Sequence, residues 1–212
     1  MKIVIISQKA FPILFPVSAA DCIHVKMIKD LEAQEHQDAD LYIDLDFTMD
    51  KSRLSALSLL LPSLVMVNAV LPTLAEIGYP FIRINGWPGF LEREVHELAS
   101  PDEETTRKIQ AVYKDLGRSC RIVPDTPGLI TARILATIIN EAWYTWEQGV
   151  STKEEIDTAM KLGTNYPLGP FEWSERIGVS PITLLLATLS KTDPGYAPAD
   201  SLQQAAGSLK YD

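Results

Sequence analysis

The rhythm of apolar and polar positions changes along the chain and lays out its elements. Ile3-Val4-Ile5-Ile6 is a continuous β-branched run, so residues 2–7 are expected to form a buried parallel strand. Pro12 and Pro16 punctuate the next stretch, and Ile23, Met27 and Leu31 at i, i+4 and i+8 predict an amphipathic helix over roughly 19–35. Residues 40–47 alternate apolar with polar and read as a strand. Asp50 is a suitable cap for a helix reaching Leu61, stopped by Pro62. Leu64–Val67 and Phe81–Ile84 are two more strands. Ser100-Pro101-Asp102-Glu103 starts a helix, with Ser100 as cap and Glu103 reaching back, and Gly117 ends it. Cys120–Val123 is the last strand. Strands alternating with helices predict an α/β layer with a mostly parallel sheet.

From Asp125 the pattern is helical only. A long helix over 127–148 carries apolar residues on two faces, among them Ile130, Ile134, Ile138 and Trp146, then Leu135, Ile139, Ala142 and Trp143. A helix of this kind is covered from two sides. Ser151-Thr152-Lys153-Glu154 opens another, closed by Gly163, and Ser180-Pro181 starts a third. The tail beyond Lys191 reads as a loose helix or extended arm. The expected domains are 1–124 and 125–212.

Composition narrows the classes. With 46% hydrophobic and 22% charged residues, the chain reads as an ordinary globular protein. Its apolar runs are too short or too polar-flanked to cross a bilayer, and its N-terminus lacks the features of a signal peptide. A net charge of −9 offers no basic stripe for nucleic acid. Cys22 and Cys120 form no metal spacing and read as free thiols in a reducing cytoplasm. Asp44 and Asp46 form one polar face of a strand, with no His or Cys to complete a metal site. His24 and His36 read as surface residues of the first helix, and His96 as exposed or capping.

Three segments carry a family resemblance. They are Asp125-Thr126-Pro127-Gly128-Leu129-Ile130-Thr131-Ala132-Arg133, then Asp157-Thr158-Ala159-Met160-Lys161-Leu162-Gly163, then Tyr166-Pro167-Leu168-Gly169-Pro170-Phe171-Glu172. They resemble the D-T-P-G-F-x-x-N-R, D-x-A-M-x-x-G and Y-P-x-G-P-F-E motifs of the 3-hydroxyacyl-CoA dehydrogenase family. That resemblance implies a Rossmann-like domain that binds NAD, followed by a helical domain through which two subunits pair. The family's G-x-G-x-x-G loop corresponds to Ser7-Gln8-Lys9-Ala10-Phe11-Pro12, which has no glycine. Lys9 and Phe11 would stand where the diphosphate lies, and Pro12 removes an N–H donor. Only 32 residues, 8–39, separate the first two predicted strands. One helical crossover fits that length, and the family's intervening strands do not.

The family's catalytic histidine and its orienting glutamate fall on Asn85 and Glu97. An amide cannot act as a general base. Asn68 matches the asparagine of the family's N-T-S-S turn, and Arg133 matches its motif arginine, while the asparagine before that arginine is Ala132. The expected site is therefore Glu97 and Asn85 at the catalytic positions, with Asn68 and Arg133 for substrate, and no cofactor or metal ligands. The expected fold is a truncated Rossmann-like parallel sheet followed by an all-α dimerisation domain. The expected function is a family protein without NAD-dependent chemistry that keeps a cleft of the acyl-CoA type and forms a homodimer. The alternatives are an active oxidoreductase of fatty acid metabolism with an altered site, or a purely structural module.

Overall fold

The computed structural model describes residues 1–8, 24–29 and 39–208. The chain divides into two compact units, Met1–Leu129 and Ile130–Asp212.

The first unit is built on a seven-stranded sheet. Its strands are β1 (Lys2–Ile6), β2 (His24–Ile28), β3 (Leu41–Asp44), β4 (Leu64–Asn68), β5 (Ile82–Ile84), β6 (Val95–Ala99) and β7 (Ser119–Ile122). They lie in the order β2-β1-β3-β4-β5-β6-β7. The first five are mutually parallel, β6 is antiparallel to β5, and β7 runs parallel to β6. The helices are α1 (Lys51–Ser58), α2 (Leu74–Ile77) and α3 (Glu103–Asp115). One apolar cluster joins Ile3, Ile5, Leu41 and Ile43 to Ile109 and Tyr113 of α3. A second joins Val4, Ile6, Tyr42 and Val65 to Leu57 of α1 and Ile77 of α2. Strands buried on both faces explain the continuous apolar runs of β1 and β4.

Several expectations change here. The predicted helix over 19–35 contains a strand: residues 24–28 pair with β1 along its whole length. Pairing to a distant strand overrides the helical spacing of Ile23, Met27 and Leu31. An intervening strand therefore does fit between β1 and β3, and His24 begins a strand. Residues 9–23 and 30–38, with Lys9, Cys22 and His36 among them, lie outside the described residues. Asp102, not Ser100, caps α3 by accepting from Thr105 N at 2.7 Å. Asp50 caps α1 as expected.

The second unit contains α4 (Thr131–Glu147), α5 (Lys153–Thr164), α6 (Pro170–Ile177), α7 (Val179–Ser190) and α8 (Asp200–Ser208). α6 is an element that the apolar spacing alone does not predict, and α7 begins at Val179 behind Gly178. Thr152 caps α5 with Glu155 in a reciprocal capping box, and Asn165 at φ 57° ends it in place of Gly163. The described part of the tail, residues 192–208, is not loose. Asn140 on α4 accepts from Ala199 N and donates to Ala197 O, both at 2.8 Å. On α4, Trp143 is covered by Phe171, and the Lys153 ammonium lies 4.3 Å from the Trp143 ring and 4.1 Å from that of Trp146. One tryptophan face of the long helix is thus covered within its own unit, while Ile134 on another face is 55% exposed.

The family motifs of this unit interlock. Asp157 of α5 accepts from Phe171 N at 2.8 Å and Glu172 N at 3.1 Å, so it caps the next helix from a distance. A Cβ on Gly169 would stand 2.3 Å from Asp157 Cγ, and only glycine leaves room. Glu172 accepts from Gly169 N at 2.8 Å and pairs with Lys161 at 2.5 Å.

The unit boundary falls after Leu129, not at Asp125, because 125–129 is fastened to the sheet. Asp125 pairs with Arg83 and accepts from Leu74 N at 2.8 Å, and Gly128 N donates to Val70 O at 2.8 Å. Arg83 is wholly buried. Its guanidinium donates to Ala69 O at 2.9 Å, Val70 O at 3.0 Å and Thr126 O at 3.3 Å.

Candidate functional site

Strand order places β1 between β2 and β3, so the chain leaves β1 for one side and returns to the other. In open α/β sheets this switch point, at the carboxyl ends of the strands, is where ligands bind. A cleft of about 450 Å³ opens there, lined by Gln8, Lys29, Asp46, Thr48, Asp50 and Arg53 among others.

The local sequence explains its polarity. Asp44, the last residue of β3, is fully buried and forms a two-bond ion pair with Arg53 of α1, at 2.6 and 2.7 Å. Burial pushes the Asp44 carboxyl up, against the pull of Arg53. Asp44 and Asp46 are therefore not one solvated face: Asp44 is internal, and Asp46 lies past the strand end. The Asp46 carboxylate accepts from Gln8 N, the first amide after the β1 turn residue Ser7, and Ser7 N donates to Ile28 O at 2.9 Å. Hydrogen bonds from Ser52 and Thr48 hold the Asp50 carboxyl well below the usual carboxylate range.

Further along the same edge, Asn68 bridges two strand ends. Its amide donates to Leu45 O at 3.2 Å and accepts from Gly86 N at 2.9 Å. A Cβ at Gly86 would meet Asn68 Cγ at 2.5 Å, so glycine is required there. Asn85 follows β5, is buried, and accepts from Trp87 N at 3.1 Å. The antiparallel register Arg83↔Ala99 and Ile84↔Leu98 ends one residue short of Asn85 and of half-buried Glu97 on the two neighbouring segments. Asn68, Asn85 and Glu97 are thus brought to one region of the sheet unit. Arg133 belongs to the helical unit, where its guanidinium lies 5.7 Å over the Tyr196 ring. Ala132 is buried in that unit.

His96 is not exposed. It is 3% accessible, with Nδ1 2.9 Å from the Tyr113 hydroxyl and Nε2 2.9 Å from Leu91 O. A carbonyl only accepts, so Nε2 carries the proton and Nδ1 accepts from tyrosine. Strand alternation explains the difference from expectation: Glu97 takes the open face of β6, and His96 goes inward with Leu98. Desolvation lowers the His96 pKa from 6.5. A base depressed in the folded state is protonated first in the unfolded chain. Stability is therefore full above about pH 6.5 and falls as pH drops below it, by at most about 1.4 kcal/mol per pH unit for one proton. Urea unfolding at a series of pH values checks this. The His96→Gln chain is expected to have a shallower slope, and an unchanged slope rules the assignment out.

Sequence reasoning missed Arg53, Arg83 and the role of Asp46. The capping signal at Asp50 was visible, but nothing in the spacing linked Arg53 to Asp44. Among the described residues, no group of three or more His, Cys, Asp or Glu is placed to hold a metal ion. None of the described helices is long and apolar enough to cross a membrane.

Residues 128–210 match the family model for the 3-hydroxyacyl-CoA dehydrogenase C-terminal domain. The chain is similar to 3-hydroxyadipyl-CoA dehydrogenase of Escherichia coli (strain K12), with 33% identity over 133 residues, 62% of this chain and 28% of that protein. It is also 33% identical over 121 residues to the mitochondrial hydroxyacyl-coenzyme A dehydrogenase of Homo sapiens, 56% of this chain and 38% of that one. Among solved structures, (S)-3-hydroxybutyryl-CoA dehydrogenase from Ralstonia eutropha shares the fold, with a TM-score of 0.72 and 24% identity over 87% of this chain and 70% of that one. The chain spans about a third of the length of these curated relatives. A helical unit held by its three motifs and this set of relatives agree: residues 128–210 match the C-terminal domain of the 3-hydroxyacyl-CoA dehydrogenases, and the chain as a whole shares the fold of a solved member.

Proposed function

We propose that the chain is a family member that does not carry out NAD-dependent hydride transfer and that offers an acyl-CoA-type ligand a binding cleft. The observation that carries this reading is the Asp46 carboxylate on Gln8 N. A dinucleotide's diphosphate needs free backbone N–H groups at the end of the first strand and no competing negative charge. Here the first such amide is already bound to an anion, and Asp50 adds another at the mouth of the cleft. The described residues do not fit a diphosphate. Asn85 supports the same reading, because the family's proton acceptor is a histidine and an amide has no proton site near neutral pH.

Titrating NADH while following its fluorescence tests cofactor binding, and absorbance at the nicotinamide band with acetoacetyl-CoA tests turnover. No saturable binding and no turnover are expected. Saturable binding with turnover would establish the active oxidoreductase instead. Acetoacetyl-CoA binding followed by calorimetry tests the cleft, and no heat at high concentration counts against it.

The helical unit is proposed to pair two copies of the chain. Ile130, Ile134 and Leu184 are exposed on it, and an isologous contact would cover them. Light scattering at micromolar concentration is expected to give the mass of a dimer, and a monomer removes the proposal.

A further inference from the structure

The free edge of the sheet carries a second cleft, of about 530 Å³, where β7 meets the C-terminal end of α3. Its lining includes Gln110, Lys114, Arg118, Ser119 and Arg121, and no acidic residue. None of Lys114, Arg118 and Arg121 makes an ion pair among the described residues. The end of α3 supplies about half a negative charge, which three cations exceed several-fold. Cys120 adds no charge, since burial pushes its thiol up.

Arg118 is preorganised. Its backbone N donates to Tyr113 O and its Nη1 to Arg93 O, both at 2.9 Å. Its Nε is one of two buried side-chain polar atoms without a hydrogen-bond partner among the described residues. That N–H is closed to solvent, so an acceptor in the cleft meets it only after the guanidinium turns. Nothing in the proposed function uses this cleft, and the net charge of −9 makes a local excess of cations the more unusual.

We propose that this cleft binds a phosphate group, with Arg118 as the anchor, Lys114 and Arg121 as flanking cations, and Gln110 and Ser119 as neutral donors. Phosphate matches the set because it brings close to two negative charges and three strong acceptor oxygens, whereas a carboxylate brings one charge and two oxygens. The group can arrive as inorganic phosphate or on a small phosphorylated molecule.

The test is a titration of the ¹⁵N-labelled chain with inorganic phosphate and, separately, glycerol 3-phosphate, at ionic strength held constant with sodium chloride. Saturable shifts are expected at the Ser119–Arg121 amides and at the Arg118 Nε–H. Shifts with both probes show that the group alone suffices, and shifts with the ester only assign the site to a phosphorylated small molecule. The double variant Lys114→Gln, Arg121→Gln, altered at two exposed positions, is expected to bind about tenfold more weakly. Lys108→Gln, on the same helix but outside the cleft, is expected to bind as the parent does. Absence of saturable shifts in the parent chain overturns the proposal. So do equal shifts with chloride alone, or undiminished affinity in a folded double variant.

Discussion

Asp125→Ala is expected to cost the sheet unit about 3 kcal/mol, the lower end of the range for breaking a buried ion pair. Arg83 is wholly buried and its partner is 28% exposed, so some solvent screening survives at the carboxylate. Removing that carboxylate leaves the guanidinium charge inside with carbonyl acceptors and only the charge of Glu76 acting on it without a hydrogen bond, and frees Leu74 N at the start of α2. Asp125→Asn keeps an acceptor for Leu74 and loses only the charge, so it falls between the two. Urea unfolding followed by circular dichroism, with hydrogen exchange at β4 and β5, reads the effect. A loss below about 1 kcal/mol would place the pair among ordinary surface contacts. Arg83→Leu is also expected to destabilise, since the carbonyls of Ala69 and Val70 would lose their donors.

Gly169→Ala is the second large effect, at about 2–4 kcal/mol in the helical unit. The backbone there is ordinary, with φ −72°, so strain in the dihedral is not the cause. The new methyl collides with Asp157, and moving that side chain withdraws the acceptor from Phe171 N and Glu172 N. In an Asp157→Ala background the clash is gone, and the cost of Gly169→Ala should shrink markedly. Gly163→Ala makes the contrast. It lies within α5, nothing stands within 4 Å of its Cβ position, and it should stabilise by about 0.4–1 kcal/mol. Thermal or urea unfolding of the three variants decides. Equal costs at 163 and 169 would mean that backbone freedom, not the Asp157 contact, selects glycine.

How much of the fold is legible in the sequence depends on how local each signal is. β1 and β4 are continuous apolar runs, and Asp50 is a cap beside the helix it serves, so both were visible. β2 was not, because residues 24–28, set within a helical spacing, become a strand only through pairing with β1, more than twenty positions away in sequence. Arg83 was equally hidden. A charge in a short strand reads as surface, and its carboxylate lies 42 positions along the chain. At the candidate site, Asn85 and Glu97 were accessible through the family spacing, and the register of β5 with β6 ends one residue short of them. The Asp46 bond to Gln8 N was not accessible, since it joins two turns 38 residues apart. Arg133 could be aligned by motif, but alignment says nothing of the Tyr196 ring beneath it.

The knot of Asp157, Lys161, Gly169 and Glu172 bears on how such chains are recognised at all. These residues set one helix upon the next, a task of scaffold and not of chemistry. A likeness carried by such contacts therefore reports how the helical unit is built.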